Sequence, residues 1–178
     1  TPKTIAALTS MKTRHLGQAL QALLASNAAS PTVAMAEAWH NIVYPWDLVG
    51  GNQIALRYLQ QELAGACEAG VTIRGAVTVG NGTRVAAGCY LQGPLSIGNG
   101  CRIGPNSVLG PSTTIGDGVE IGTHCEITDT LVMDSTTIDS FTHLQACVIG
   151  EGSDLGAHVI ALPGPDEATY LQSQHSVI

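Results

Sequence analysis

The chain has 178 residues, a formal charge of −7, 44% hydrophobic but only 4% aromatic residues, 21 glycines and five cysteines. The acid excess and the lack of a basic stripe exclude a nucleic-acid binder. No apolar run reaches the ~18 residues of a membrane span, and no basic-then-apolar start marks a signal peptide, so a cytoplasmic protein without a membrane partner is expected.

From the N-terminus, Leu16, Leu20, Leu23 and Leu24 recur at helical spacing and predict a helix over residues 13–25. Thr32 to Ala38 follows Pro31 and reads as a short strand. Pro45-Trp46-Asp47-Leu48 opens a second helix, expected to run on through Leu56, Tyr58, Leu59 and Leu63. Gly50 and Gly51 weaken its start by about 1 kcal/mol each relative to alanine. Residues 1–66 therefore read as a helical N-terminal segment, whose expected use is to cover the open first edge of the structure that follows.

From Ile73 a strict period of six begins: Ile73, Val79, Val85, Leu91, Ile97, Ile103, Leu109, Ile115, Ile121 and Ile127 are all aliphatic. The series continues through Met133, Ile138, Leu144, Ile149 and Leu155, with short steps of five into Ile138 and Ile149. Four residues after each anchor stands a second inward position: Val77, Thr83, Cys89, Leu95, Cys101, Ser107, Thr113, Val119, Cys125, Leu131, Thr137, Thr142, Val148, Ser153 and Val159. One large aliphatic and one smaller residue per rung suits the narrow tube of a parallel β-helix. The three cysteines of that series read as core filler, and five cysteines without a CxxC pair speak against a disulfide framework or a zinc site.

A period of eighteen overlies the six. Val79-Gly80-Asn81-Gly82, Ile97-Gly98-Asn99-Gly100 and Ile115-Gly116-Asp117-Gly118 recur at that spacing, and Ile149-Gly150-Glu151-Gly152 falls in the same column. Three rungs thus make one coil, with Asn81, Asn99 and Asp117 above one another at a corner where Asn, Asp and Gly tolerate positive φ. The expected fold is mainly β, a β-helix of about five coils over residues 67–162. A tail over 163–178 follows, with a possible short helix from Asp166.

The same arithmetic stacks candidate site residues. Arg84, Arg102 and Glu120 share a column. They make either a paired-arginine clamp for an anion or a surface ladder worth ~0–1 kcal/mol per pair. His124, Phe141 and His158 share a corner above Asn106, either as a site at a subunit interface or as packing. The three histidines His124, His143 and His158 lie 19 and 15 residues apart, and no metal site is expected.

The pattern [LIV]-G-x-x-[small]-x resembles the signature of the hexapeptide-repeat acyltransferase superfamily. That resemblance, and not the periodicity, implies a left-handed coil, a homotrimer and active sites between subunits. Trp39-His40-Asn41-Ile42-Val43-Tyr44-Pro45-Trp46-Asp47-Leu48 with Asn52 resembles the W-x-D-x-G-x-P-W-D-L-x-x-x-N stretch of sugar-1-phosphate nucleotidyltransferases. In those enzymes it closes the nucleotidyltransferase domain and leads into a C-terminal β-helix. Ile127-Thr128-Asp129-Thr130-Leu131-Val132-Met133, the run from Ile138 to Gly150, and Gly156-Ala157 are similar to the bifunctional enzymes that acetylate glucosamine 1-phosphate and then uridylylate it.

The departures from that family are specific. Asn41 stands where the resemblance implies the metal-binding aspartate, and a neutral amide is a poor ligand for a hard cation. The glycine-rich nucleotide-binding front of that domain is absent from these residues, so nucleotidyl transfer by this chain alone is not expected. In Asp139-Ser140-Phe141-Thr142-His143, Ser140 occupies the place of the histidine general base and His143 that of a substrate-binding tyrosine. Pro163 replaces a late asparagine. After Arg102 there is no Lys or Arg, while residues 103–178 hold ten Asp or Glu. That is a poor setting for phosphate-bearing substrates. The expected function is a trimeric binding or interaction module related to these enzymes. The alternative is an acyl-CoA-dependent transferase acting on an amino-sugar or similar small acceptor. It would use acetyl-CoA, His143 or His124 as base, and Arg84, Arg102, Ser140 and His158 as substrate contacts.

Overall fold

The six-residue spacing of aliphatic anchors becomes, in a computed structural model, a stack of short parallel strands on three faces. The structure describes residues 40–163 and the strand 169–171, all within one compact unit that spans Trp39–Ile178. The expected helix over 13–25 and strand over 32–38 lie outside the described residues, as does most of the tail. No described helix is long and apolar enough to cross a membrane.

In chain order the first coil is β1 (Glu62–Leu63), β2 (Ala66–Cys67) and β3 (Thr72–Arg74). The second is β4 (Val77–Val79), β5 (Arg84–Val85) and β6 (Tyr90–Gln92), and the third β7 (Leu95–Ile97), β8 (Arg102–Ile103) and β9 (Val108–Leu109). The fourth is β10 (Thr113–Ile115), β11 (Glu120–Ile121) and β12 (Glu126–Thr128), and the fifth β13 (Leu131–Val132), β14 (Thr137–Ile138) and β15 (His143–Gln145). The sixth is β16 (Cys147–Ile149), β17 (Asp154–Leu155) and β18 (Ile160–Ala161), after which β19 (Thr169–Leu171) pairs with β16. Face A is the sheet β1-β4-β7-β10-β13-β16-β19, face B is β2-β5-β8-β11-β14-β17, and face C is β3-β6-β9-β12-β15-β18. There are six coils where about five were expected, because β1 and β2 add rungs ahead of Ile73 and Ala161 adds one after Leu155.

The anchors from Val79 to Ile127 are buried as expected. Beyond them the register differs from the sequence reading. Val132 and not Met133 is the fifth-coil anchor, whereas Ile138, Leu144 and Ile149 are buried as expected. Thr130, Thr136 and Cys147 are the partners in the tube core in place of Leu131, Thr137 and Val148, the last of which is also buried but in register with Leu131. The first short step is therefore Ile127 to Val132. The physical reason lies outside the tube. Leu131 points outward in register with Thr114, on the part of face A against which helix α1 (Asp47–Leu56) rests. An outward residue under a helix is as apolar as an inward one, so hydrophobicity alone does not separate them.

The [LIV]-G pair has a steric origin. A Cβ on Gly104 would lie 2.6 Å from the carbonyl carbon and oxygen of Gly122 in the next coil, and one on Gly80 would lie 2.5 Å from the Gly98 oxygen. Coils stacked ~4.8 Å apart leave no room for a side chain there. Positive φ falls on the residue after the Asn/Asp corner, at Gly82, Gly100, Gly118, Ser135 and Gly152, and not on the Asn or Asp itself. The Asn and Asp instead lace the corner: Asn81 N–H donates to Asn99 Oδ1 at 2.9 Å, Asn99 N–H to Asp117 Oδ1 at 2.6 Å, and Asp117 N–H to Asp134 Oδ1 at 2.8 Å.

The small inward residues do more than fill space. Thr83 Oγ1 donates to the Gly98 carbonyl at 2.6 Å, Cys89 Sγ to Gly104 at 3.1 Å, Cys101 Sγ to Gly116 at 3.0 Å and Ser107 Oγ to Gly122 at 3.0 Å. Each reaches one coil ahead and takes up a corner carbonyl that would otherwise be buried without a partner. Four of the five cysteines are buried in this column, one more than the sequence reading placed there.

Helix α1 ends at Leu56, short of Tyr58 and Leu63, and Leu63 belongs to β1. It does not cover the open end of the tube but lies along face A at β10, β13 and β16. Asn52 pins it there: Nδ2 donates to the Ser112 carbonyl at 3.0 Å, and Oδ1 accepts from Thr114 Oγ1 at 2.6 Å. Asp47 Oδ2 accepts the N–H groups of Val43 and Tyr44, both at 2.8 Å, and so shapes the turn into the helix.

Candidate functional site

The corner between faces B and C carries Gly70, Gly88, Asn106, His124, Phe141 and His158 in successive coils, all at positive φ. Glycine occupies that conformation freely. His124 (φ 54), Phe141 (φ 61) and His158 (φ 63) do so only at a cost, of order 1–2 kcal/mol each for a residue with a Cβ. Their rings stack in return: His124 on Phe141 with centroids 5.3 Å apart at 12°, and Phe141 on His158 at 5.1 Å and 5°. Such pairs contribute ~0.5–1.5 kcal/mol each beyond their buried area. The stack is exposed, with Phe141 half open to solvent at 50%.

Thr123 fixes the first ring. Its hydroxyl donates to the Pro105 carbonyl at 2.9 Å, which leaves its oxygen to accept from His124 Nδ1 at 2.7 Å. In the neutral ring the proton then sits on Nδ1 and the Nε2 lone pair is free.

His143 lies outside the stack, two residues past Phe141, on face C. It is in register with Glu126 below and Ile160 above. Its Nδ1 stands 3.4 Å from Glu126 Oε2, with side chains 37% and 53% exposed. A pair this open is worth ~0–1 kcal/mol. Val108, Glu126, His143 and Ile160 form one outward column, and Ile160 is 72% exposed. The two expected bases, His143 and His124, thus sit on neighbouring surfaces with no bond between them, and none of the three histidines lines the hollow beside Arg84 and Arg102 or the one beside Asn81 and Asn99.

Ser140 is half-buried, and its oxygen accepts the Thr123 N–H at 3.1 Å. It ties one coil to the next. On face B, Arg84, Arg102 and Glu120 are in register on β5, β8 and β11. Arg102 Nη1 is 3.7 Å from Glu120 Oε1, with side chains 75% and 56% exposed. The arginines and the histidines therefore occupy adjacent faces and do not converge on one point. No group of three or more His, Cys, Asp or Glu among the described residues is placed to hold a metal ion.

Two features lie outside the sequence expectations. The cysteines of the inner series read as filler and its Thr and Ser only as small inward residues, although the series carries a signal, a hydrogen-bonding side chain fifteen residues before a glycine. Asn52 was noted only as part of a motif, and its role as the pin of α1 depends on Ser112 and Thr114, sixty residues away.

Residues 91–162, under half of the chain, match the family model described as the GMPPB C-terminal domain. No curated protein matches the chain. The stretch that carries the ring stack and Arg102 is thus similar to the C-terminal β-helix region of sugar nucleotidyltransferases.

Proposed function

We propose that this β-helix is an assembly and binding module of the sugar-nucleotidyltransferase kind, without acyl-transfer chemistry of its own, and that it associates as a homotrimer through the B–C corner and face C. The observation that carries the reading is the His124–Phe141–His158 stack. Three bulky residues hold a conformation that glycine holds at no cost in the first two coils, and they present a flat ring surface to solvent beside exposed Ile160. Strained backbone kept at the surface points to a role there, and exposed aromatic residues such as Phe141 are of the kind enriched at interfaces. Ser140, spent on the Thr123 amide, supports the loss of the acetyltransferase base.

Sedimentation equilibrium tests this. Three chains of 18.3 kDa would sediment together, and Phe141→Asp would reduce the assembly to monomers while leaving the far-UV circular dichroism of the β-helix intact. A monomeric wild type, or a Phe141→Asp variant that remains trimeric, would refute the reading.

A second reading rests on the His143–Glu126 pair, since a carboxylate 3.4 Å from Nδ1 orients an imidazole as a base. On it, the protein is an acyl-CoA-dependent transferase for an amino-sugar or similar small acceptor. Thiol release from acetyl-CoA with a panel of amino-sugars, abolished by His143→Ala, would establish it in place of the first.

A further inference from the structure

Face B carries a feature independent of the trimer. The side chains of Arg84 and Arg102 leave the same position on neighbouring strands. Strands ~4.8 Å apart hold the two stems side by side. Like charges directly opposite on a sheet destabilise it, so such a pair calls for an anion between or above its members. Among the described residues only Glu120 brings a carboxylate within 4.0 Å of either guanidinium. Glu120 meets Arg102 through a single 3.7 Å contact, and Arg84 has no carboxylate partner among the described residues; its neighbour on β2 is Ala66.

Two further carboxylates, Glu68 and Asp139, line the same trough; each is aimed by a backbone amide and keeps its charge. Glu68 Oε2 accepts the Ala87 N–H at 2.9 Å, and Asp139 Oδ1 accepts the Ser140 N–H at 2.7 Å. Beside the arginines the floor is bare. Ala86, Gly104 and Gly122 lie there, and a Cβ on Gly104 or Gly122 would strike the next coil. The same close packing that requires glycine therefore opens a trough of about 550 Å³ lined by Arg84, Arg102 and Thr137 and by the carboxylates of Glu68, Glu120 and Asp139.

We propose that this trough binds the phosphate group of a small molecule, held between the guanidinium groups of Arg84 and Arg102. Each guanidinium offers N–H donors in a planar fork that matches an oxyanion. The phosphate takes the free donors of Arg84 and draws Arg102 away from Glu120, so Glu120 acts as a competitor. The Thr137 hydroxyl, next in register above Glu120, is placed to bond a hydroxyl of the attached group.

The test is calorimetric titration of the full chain with inorganic phosphate and, separately, with glycerol phosphate. Millimolar binding is expected for both, tighter for the ester if the trough recognises more than the phosphate. Arg84→Gln should weaken both about tenfold, the scale of one lost charge-assisted hydrogen bond. Glu120→Gln should tighten both about threefold, since it releases Arg102 from an exposed ion pair. These side chains are exposed, so melting temperatures should stay at the wild-type value and separate a binding loss from a folding loss. No binding by the wild type at about 50 mM ligand, well above the ~1 mM scale of weak sites, would overturn the proposal. So would equal affinity in Arg84→Gln, or a loss of affinity in Glu120→Gln.

Discussion

Thr83 is the sharpest place to test how the coils are held together. It is fully buried, its hydroxyl donates to the Gly98 carbonyl at 2.6 Å, and its oxygen accepts the Cys101 N–H at 2.9 Å. Valine has the same shape and makes neither bond. An orphaned buried donor costs ~1–3 kcal/mol, and the extra methyl returns at most ~0.8 kcal/mol. Allowing for the lost bond itself, Thr83→Val should destabilise by about 2 kcal/mol, or about 4–8 °C in Tm for a chain of this length. Thr83→Ser keeps both bonds and loses only a methyl, about 1 kcal/mol. Urea unfolding followed by far-UV circular dichroism reads the difference as a shift in midpoint at unchanged m-value. If valine proves as stable as the wild type, or more stable than serine, the column is filler after all and the ladder contributes nothing.

Further outcomes follow from the same contacts. Gly104→Ala should cost ~1–3 kcal/mol by overpacking, because its Cβ would meet the Gly122 carbonyl at 2.6 Å; an unchanged urea midpoint would contradict that approach. Asn52→Ala should release α1 from face A, seen as faster hydrogen exchange in residues 47–56 with the β-helix amides still protected. Burial, ahead of smaller effects, pushes the thiols of Cys89, Cys101, Cys125 and Cys147 above their ordinary value. The fold therefore favours their protonated form: this stabilisation is intact below ~8.5, the ordinary thiol value, and is lost as pH rises through the higher folded values. A thiol reagent at neutral pH should count one accessible cysteine, Cys67, whose thiol is itself raised by partial burial, and the other four only on unfolding. Asp47 goes the other way. The Tyr44 N–H, then the Val43 N–H, hold its carboxyl below the ordinary range. Its contribution is present above pH ~3.9 and lost as pH falls through the lower folded value, so Asp47→Asn should remove the acid-limb dependence of α1 docking.

The repeat, and with it the stacking of Arg84 on Arg102 and of His124, Phe141 and His158 at one corner, was legible in the amino-acid order alone. A coil of three six-residue rungs converts sequence distance directly into height and face, so residues eighteen apart become neighbours without knowledge of anything else. That arithmetic fails where a second element intervenes. Leu131 is apolar because α1 lies over it, and a pattern that records only hydrophobicity assigns it inward and shifts the rung to Met133. The tertiary structure also decided what the aligned residues do. Whether Thr83 and Ser107 merely occupy volume or close a carbonyl depends on which atoms the next coil presents. Ser140 bonds an amide because Thr123 stands below it, and Asn52 serves as a pin only because the helix is laid along face A. Periodicity determines which residues meet; the directions of their hydrogen bonds, and the helix packed on the outside, are settled only when the coils are stacked.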